Sequence, residues 1–528
     1  MNRTMDLREL LHEEGVPALT VSGIASDSRR VAPGHLYVAR RGNVFDGHDF
    51  VSAAVEAGAV AVVSERPVET GVANIVVPGI AGELGALGAR FYGEPSRATD
   101  VVGVTGTNGK TTVAYNIARI GGTGETTGYV GTLGWGVPPE LAPSALTTED
   151  PLVLQMRLRR LVDRGLSRVA LEASSHALDQ GRLDEVEIDV GVFTNLSRDH
   201  LDYHGTMERY AAAKRKLFAG GLRAAVVNVD DATGRAIAEQ ADDRMDVLRV
   251  GRTGDVRWRD LEFHRGGIRG VWVTPWGRRS FALGAFFGEF SVYNAACVLA
   301  ACCALGDSFA DVVDAMEGLP GVPGRMQAMA TRPMVFVDYA HTPDGLNAVL
   351  SAIRAHVGDS RVITVFGCGG DRDRGKRGLM ARAAEAGSDV VVASTDNPRS
   401  EHPDRILDDV MAGFADPGTV VRIGDRREAI AAALDRADSR DVVLIAGKGH
   451  EDYQEVAGRR LPWSDAGIVA ELLHDASILG GARCVGSSSS HREGGKVSLK
   501  PTCAMHDVGE AARVVPPPDG SERRESSP

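Results

Sequence analysis

The sequence predicts an α/β protein of several domains, with a phosphate-binding parallel sheet in mid-chain and a second parallel-sheet unit after it. Three observations carry that prediction. The apolar run at 101–104 turns through Gly103-Val-Thr-Gly-Thr-Asn-Gly-Lys-Thr-Thr112 into a helical pattern beginning near Lys110. Short apolar runs recur at 168–172, 188–193 and 224–228, then at 334–338, 361–366, 389–393 and 441–446, separated by helical stretches. That alternation is what a parallel sheet flanked by helices requires. Finally, 528 residues are too many for one core, since a domain takes roughly 150.

Hydrophobic content of 43% and charged content of 25% are those of a globular chain. A net charge of −12 argues against a broad nucleic-acid footprint. No apolar stretch approaches the roughly 18–20 residues that span a bilayer, and the N-terminus lacks a signal-peptide core. The six cysteines show no zinc-ligand spacing, and Cys297, Cys302 and Cys303 sit in an alanine-rich helical pattern. They are expected to be buried thiols in a reducing cytoplasm.

The first unit, residues 1–95, contains Ser26-Asp-Ser-Arg29, a Pro33-Gly34 turn and the strand-like Leu36-Tyr-Val-Ala39. A helical stretch from Val51 and a strand at 59–63 follow. Alone, this unit says only small α/β domain. The second unit, 96–322, carries the glycine-rich loop, and the third, 323–475, repeats the strand–loop–helix logic. In such open sheets, ligands bind beyond the carboxyl ends of the strands. The serine- and proline-rich stretch 476–528 cannot supply a core and is expected to be disordered.

A strand that turns through glycines into a helix N-terminus makes a phosphate site, because backbone N–H groups and the helix dipole converge on an anion. The strict P-loop pattern wants glycine at 104, where this chain has Val104, so the loop is a variant. Glu172 ends one strand before Ala-Ser-Ser-His176, and Thr194-Asn-Leu-Ser-Arg-Asp-His200 follows another. With Thr111, a carboxylate and an imidazole at neighbouring strand ends could hold Mg²⁺ against phosphate oxygens, since magnesium takes few protein ligands. A hydrolase triad of Ser175, His176 and Asp199 is the rival reading. It lacks the nucleophile elbow and leaves the phosphate loop unexplained.

These motifs, together with Phe290-Ser-Val-Tyr-Asn294, Pro323-Gly-Arg325, Asp338-Tyr-Ala-His-Thr-Pro343 and Gly447-Lys-Gly-His-Glu-Asp452, closely resemble the Mur ligases over about residues 20–455. Asp396-Asn-Pro-Arg399 narrows the resemblance to members that add diaminopimelate. The resemblance implies a three-domain Mur ligase architecture with a UDP-binding first unit, a central ATP-binding P-loop sheet and a Rossmann-like third unit that binds the amino acid. It also implies transfer of the ATP γ-phosphoryl group to the D-Glu carboxylate of UDP-MurNAc-L-Ala-D-Glu. An amine then displaces phosphate from the acyl phosphate. Positioning and charge neutralisation carry such chemistry.

By the same resemblance, Gly106, Thr107, Asn108, Gly109, Lys110, Thr111 and Thr112 hold the phosphates, with Asn294, Arg325 and Asp338 on the adenine and ribose side. Lys110, Glu172, His200 and Lys214 are the catalytic set. Thr111, Glu172, His200 and Lys214, the last as a carbamate, are the magnesium ligands. Lys216 is a near competitor of Lys214 but falls off the Tyr-x-x-x-Lys spacing from Tyr210. Ser26, Ser28, Asn43, Val44 and Phe45 would cradle the UDP group. Thr147, Thr148, Ser174, Gln180 and Arg182 would meet the muramoyl peptide. Arg372, Asp396, Asn397, Pro398, Arg399, Gly447 and Glu451 would bind diaminopimelate, whose distal carboxylate suits the Arg399 guanidinium. Lysine would bring an ammonium there and be repelled. The expectation is a cytoplasmic monomer using ATP and Mg²⁺ on small molecules, with no nucleic-acid partner and no membrane span.

The chain departs from the family pattern in four places: Glu149 where many relatives have proline, Ala173 where valine is common, a loose 461–467 segment and the added tail. They leave room for a paralogue of specialised metabolism. Two alternatives therefore stand beside the main reading: a Mur-like ligase of another pathway, folate or polyglutamate chemistry included, and a non-catalytic nucleotide-binding protein.

Overall fold

Eight strands form the central sheet, in the order Glu140–Ala142, Gly134–Val137, Thr127–Gly131, Arg168–Glu172, Asp100–Thr105, Val190–Phe193, Ala224–Asn228, Asp246–Val250. The six from Thr127–Gly131 to Asp246–Val250 run parallel, and an antiparallel hairpin closes one edge. The computed structural model describes residues 3–13, 15–42, 45–121, 126–242 and 244–483. Asn43 and Val44 lie outside the described residues.

Both faces of this sheet are covered, which is why its strands read as continuous apolar runs. On one face lie the helices Lys110–Ile120 and Glu289–Ala304, packing Val113, Ile117, Val292 and Leu299 against Val102, Val104 and Val192. On the other, Pro151–Asp163 presents Leu154, Leu158 and Leu161 to Val101 and Val169. Helix Glu289–Ala304 is apolar all round and buried, and it takes Cys297, Cys302 and Cys303 into the core as expected. Ala173 is also fully buried.

The second parallel sheet has the order Gln327–Thr331, Met334–Asp338, Val442–Ala446, Val362–Cys368, Val390–Thr395, Val421–Arg422, with only the first strand antiparallel. Four of its strands are those read from the sequence, displaced by a residue or two at their ends. The first sheet, Gly23–Ala25, His35–Ala39, Ala61–Ser64 and Ala73–Val76, is parallel throughout. An antiparallel three-stranded sheet, Arg257–His264, Gly267–Thr274 and Gly277–Leu283, is not anticipated from the sequence. Its strands are partly exposed and rich in arginine, so they lack the apolar runs that mark the others.

The departures at 461–467 and in the tail acquire structure. Asp465, in the loose 461–467 segment, is fully buried and pairs with the equally buried Arg426 at 2.7 Å. Arg426 also donates to the carbonyls of Thr395 and Ala446, so it bolts two strand ends together. Asp465→Ala would leave a buried guanidinium uncompensated and is expected to lower stability by about 3–5 kcal/mol, read by urea denaturation. The helix Asp465–Arg483 continues past the expected boundary at 475, in a stretch that holds no proline. The remainder of the tail, 484–528, lies outside the described residues.

Candidate active site

Strand Asp100–Thr105 sits between Arg168–Glu172 and Val190–Phe193, so the loops leaving these three parallel strands meet at the carboxyl end of the sheet. The loop 106–109 is held there by the chain after Phe193. The Asn195 carbonyl accepts from Thr107 N–H at 2.8 Å and its side-chain oxygen from Asn108 N–H at 3.0 Å. The Thr194 hydroxyl donates to the Asn108 carbonyl at 2.6 Å. Two glycines are obligatory: Gly106 and Gly109 have φ of +149° and +88°. A Cβ would strike Thr194 Oγ1 at the first and Asn294 Oδ1 at the second. The amides of Thr107 and Asn108 are thus engaged by Asn195. The first-turn N–H groups of helix Lys110–Ile120, around Thr111 and Thr112, have no intrahelical partners and no side-chain cap, which suits them to an anion.

Lys110 Nζ donates to the carbonyls of Gly106 and Thr107, each at 2.9 Å. Lys214 Nζ donates to the same Gly106 carbonyl at 2.7 Å and lies 4.5 Å from the Tyr210 ring centroid. Lys214 is only 1% exposed. Burial pushes its amine well below the usual lysine range, and the Lys110 charge adds to the shift. Lys216 is no competitor, since its ammonium pairs with Asp179 at 2.9 Å on the surface.

Glu172 is buried and takes four donors: Thr111 Oγ1 at 3.0 Å, Tyr129 Oη at 2.6 Å, and the Thr132 amide and hydroxyl at 2.9 and 3.1 Å. His200 stands at φ +52° beside Asp199, 3.5 Å away. Burial lowers its pKa, with Asp199 opposing, so the ring favours the neutral form that can act as a ligand. The hydrolase triad is not assembled. Ser175 Oγ bonds His204 Nε2 at 3.0 Å, while His176 packs on Tyr203 with centroids 4.2 Å apart.

A second group lies on the same side of the sheet. Thr148 Oγ1 donates to the Glu172 carbonyl at 2.6 Å, Arg182 donates to the Thr148 carbonyl at 2.8 Å, and Gln180 Oε1 accepts from Arg182 Nε at 3.0 Å. Ser174 N–H donates to Thr148 Oγ1, and Thr147 Oγ1 meets Thr132 Oγ1 at 3.0 Å. The departure Glu149 forms a buried pair with Arg157 at 2.8 Å and accepts from Ala145 N–H, which braces the loop bearing Thr147 and Thr148. In the first unit, Asp27 caps the turn Ser28–Arg30, leaving the half-buried Ser26 and Ser28 beside it. Phe45 is 70% exposed, edge-on to Phe50.

The third group gathers at the carboxyl end of the second parallel sheet. Asn397 Nδ2 donates to Glu451 Oε2 at 2.8 Å. Arg399, at φ +54°, donates from Nη1 to the Gly370 carbonyl at 2.8 Å, and its backbone is clamped by Glu455 and Ala457. The Pro398 carbonyl accepts from Glu401 N–H at 3.0 Å, and Asp396 is buried. Gly369 brings two arginine side chains together, with Arg399 Nη1 and Arg372 Cγ at 2.8 and 3.8 Å from where its Cβ would be. Arg372 is exposed and has no hydrogen bond or ion pair among the described residues.

Arg325 links the first and third groups. Its Nη2 donates to Thr111 Oγ1 at 3.5 Å and its guanidinium lies 4.3 Å from the Tyr339 ring centroid. Gly324, one residue before it, packs against the backbone of Gly449 and His450. Asp338 accepts from Met326 and Ala340 N–H and so shapes this turn, while its own carbonyl accepts from Gly447 N–H at 3.0 Å. Sequence reasoning does not single out Tyr129, Thr132, Asn195, Arg426 or Lys448. Of these, Asn195 and Lys448 sit inside the motifs named above and could have been found from the polar side chains at strand ends.

Residues 104–302 match the Mur ligase middle domain, 324–449 the Mur ligase glutamate ligase domain, and 20–92 the Mur ligase family catalytic domain. The chain belongs to the Mur ligase family, a class of ATP-dependent ligases. It is 46% identical over 474 residues, covering 87% of itself and 96% of its relative, to the UDP-N-acetylmuramoyl-L-alanyl-D-glutamate–2,6-diaminopimelate ligase of Ectopseudomonas mendocina (strain ymp). A relative of the same name from Xanthomonas campestris pv. campestris (strain 8004) is 43% identical over 497 residues, 91% of this chain and 99% of that one. A solved structure bearing that ligase name superposes with a TM-score of 0.65 at 36% identity, covering 90% of this chain and 99% of the other. The D-alanyl-D-alanyl-adding ligase from Acinetobacter baumannii shares the fold, with a TM-score of 0.64 at 22% identity, covering 85% of this chain and 96% of that one.

Proposed function

We propose that this chain ligates diaminopimelate to the D-Glu carboxylate of UDP-MurNAc-L-Ala-D-Glu with consumption of ATP, as the names of its relatives indicate for them, in the cytoplasmic synthesis of peptidoglycan precursors. The observation that supports the reading is the run of contacts from Thr111 through Arg325 to the 447–451 loop, which we read as a phosphate end and an amino-acid end sharing one cleft. Residues 1–95 then serve UDP, 96–322 ATP and 323–475 the amino acid. We read the chain as acting as a monomer.

The anion-facing amides after Gly109 bind the phosphates, and Lys110 releases its two carbonyls to reach the outer ones. Asn294, Arg325 and Asp338 line the adenine and ribose side. Thr148, Ser174, Gln180 and Arg182 orient the acceptor, with Arg182 as the fork-like partner of an oxyanion. Thr111 and Glu172 offer hard oxygens 3.0 Å apart, beside the neutral-leaning His200 and a Lys214 that as a carbamate would add further oxygens, and this set would fit Mg²⁺. When bound, the ion supplies charge neutralisation to phosphate and carboxylate oxygens. Arg372 takes the α-carboxylate of the incoming amino acid, Arg399 its distal carboxylate, and Asn397, Gly447 and Glu451 the distal amino end.

A phosphate-release assay tests the reading. Release should require both the UDP-dipeptide and diaminopimelate. Release that depends on a different acceptor would support a ligase of another pathway, and nucleotide binding without turnover a non-catalytic role.

A further inference from the structure

Lys448 stands outside every role assigned above, yet its side chain is fully buried, 0% exposed, at the end of strand Val442–Ala446. Its Nζ donates to Asn397 Oδ1 at 3.0 Å and to Glu451 Oε2 at 2.9 Å, with Asp396 Oδ1 4.0 Å away. A buried ammonium is costly unless paired and hydrogen-bonded, and here the partners are two residues of the amino-acid cleft.

The pattern of bonds is directional. Asn397 Oδ1 accepts from both Lys448 and the Glu455 amide, which fixes the side-chain amide and aims its Nδ2 at Glu451 Oε2. Flipping that amide would set NH₂ against two donors. Glu451 Oε2 is therefore occupied twice, by Lys448 and by Asn397. Its other oxygen, Oε1, takes no hydrogen bond among the described residues, on a side chain that is 17% exposed. Asp396 and Glu451 face the one ammonium of Lys448, and the buried Arg426 near Asp396 is matched by Asp465, so one negative charge remains in excess, the complement of one substrate ammonium.

We infer that Lys448 is a positioning residue for the incoming amino acid, fixing Asn397 and one oxygen of Glu451 so that the other oxygen is presented to the substrate's ammonium. The inference rests on the amino-acid cleft proposed above and extends it to a residue that does not touch substrate.

The test uses steady-state kinetics of the full chain with Lys448→Met, Glu451→Gln and the double variant. Lys448→Met should raise KM for diaminopimelate by about tenfold or more, while KM for ATP and for the UDP-dipeptide stays within about twofold. Equal rises in all three constants would mark a merely structural role and overturn the inference. In the Glu451→Gln background, adding Lys448→Met should change KM for diaminopimelate by less than about threefold, the share exerted through Asn397 alone. That double variant removes both charges of the pair, so it decides between the outcomes if Lys448→Met alone does not fold; multiplying effects would overturn the inference. Failure of the wider reading is separate: the unmodified chain would then show no diaminopimelate-dependent phosphate release at all.

Discussion

Replacing Lys214 with alanine is expected to lower kcat by about 10²–10³-fold or more, the usual cost of removing one preorganised electrostatic group from a transition state. KM for ATP should move far less. The cause lies in burial. A lysine that is 1% exposed, next to a second lysine on the same carbonyl, is a poor place for an ammonium. Desolvation and then Lys110 lower its pKa, so more of the amine is neutral near pH 7 than in an ordinary lysine. In the proposed role, the neutral amine adds to CO₂ and loses a proton, giving a carbamate whose oxygens would replace the cation as donors. Short carboxylates such as formate or acetate should restore part of the activity of Lys214→Ala, since each supplies the missing oxygens. The unmodified enzyme should lose activity when CO₂ is stripped from the buffer, and the loss should deepen as falling pH protonates the amine. Wild-type turnover in Lys214→Ala would overturn the carbamate role.

What the sequence makes legible follows from periodicity and punctuation. The strand Ala224–Asn228 is readable to the residue because both sheet faces are covered and every position is apolar until the terminal asparagine. Likewise the phosphate loop is legible because glycines at φ above zero cannot be replaced without a collision. The sheet at 257–283 is not legible, since it faces solvent on one side and carries charged residues at exposed positions. Site residues that act through others are also hidden. Tyr129 and Thr132 matter only because they close on Glu172, 43 and 40 residues away, and no local pattern announces such a contact. Asp465 reads as an ordinary surface aspartate until Arg426 is seen against it. Glu149 looks like a departure from family habit, and its meaning appears only with Arg157, inside the next helix.

Arg399→Ala is expected to raise KM for diaminopimelate by about 10–100-fold, the cost of losing charge-assisted hydrogen bonds of about 1.5–3 kcal/mol. The constants for ATP and the UDP-dipeptide should stay close to wild type. The guanidinium also pairs with Glu455, Nε to Oε2 at 3.5 Å, a partly exposed contact whose loss costs little. Residue 399 sits at φ +54°, and alanine bears the same backbone strain as arginine, so the substitution leaves that cost unchanged. Its main-chain bonds to Glu455 and Ala457 do not involve the side chain and persist. The Gly370 carbonyl that Nη1 now engages is on the partly open side of the cleft, where water can replace the lost donor. What disappears is a planar cation held beside Arg372 at Gly369, which under the proposed assignment would meet a second carboxylate that lysine does not possess. The same change removes the charge that repels an ε-ammonium, so the preference for diaminopimelate over lysine should narrow from both directions. Ligation assays with the two amino acids in parallel, for wild type and variant, measure that ratio. Equal changes in KM for ATP and diaminopimelate, or an unchanged ratio, would remove Arg399 from the specificity site and leave it a loop anchor.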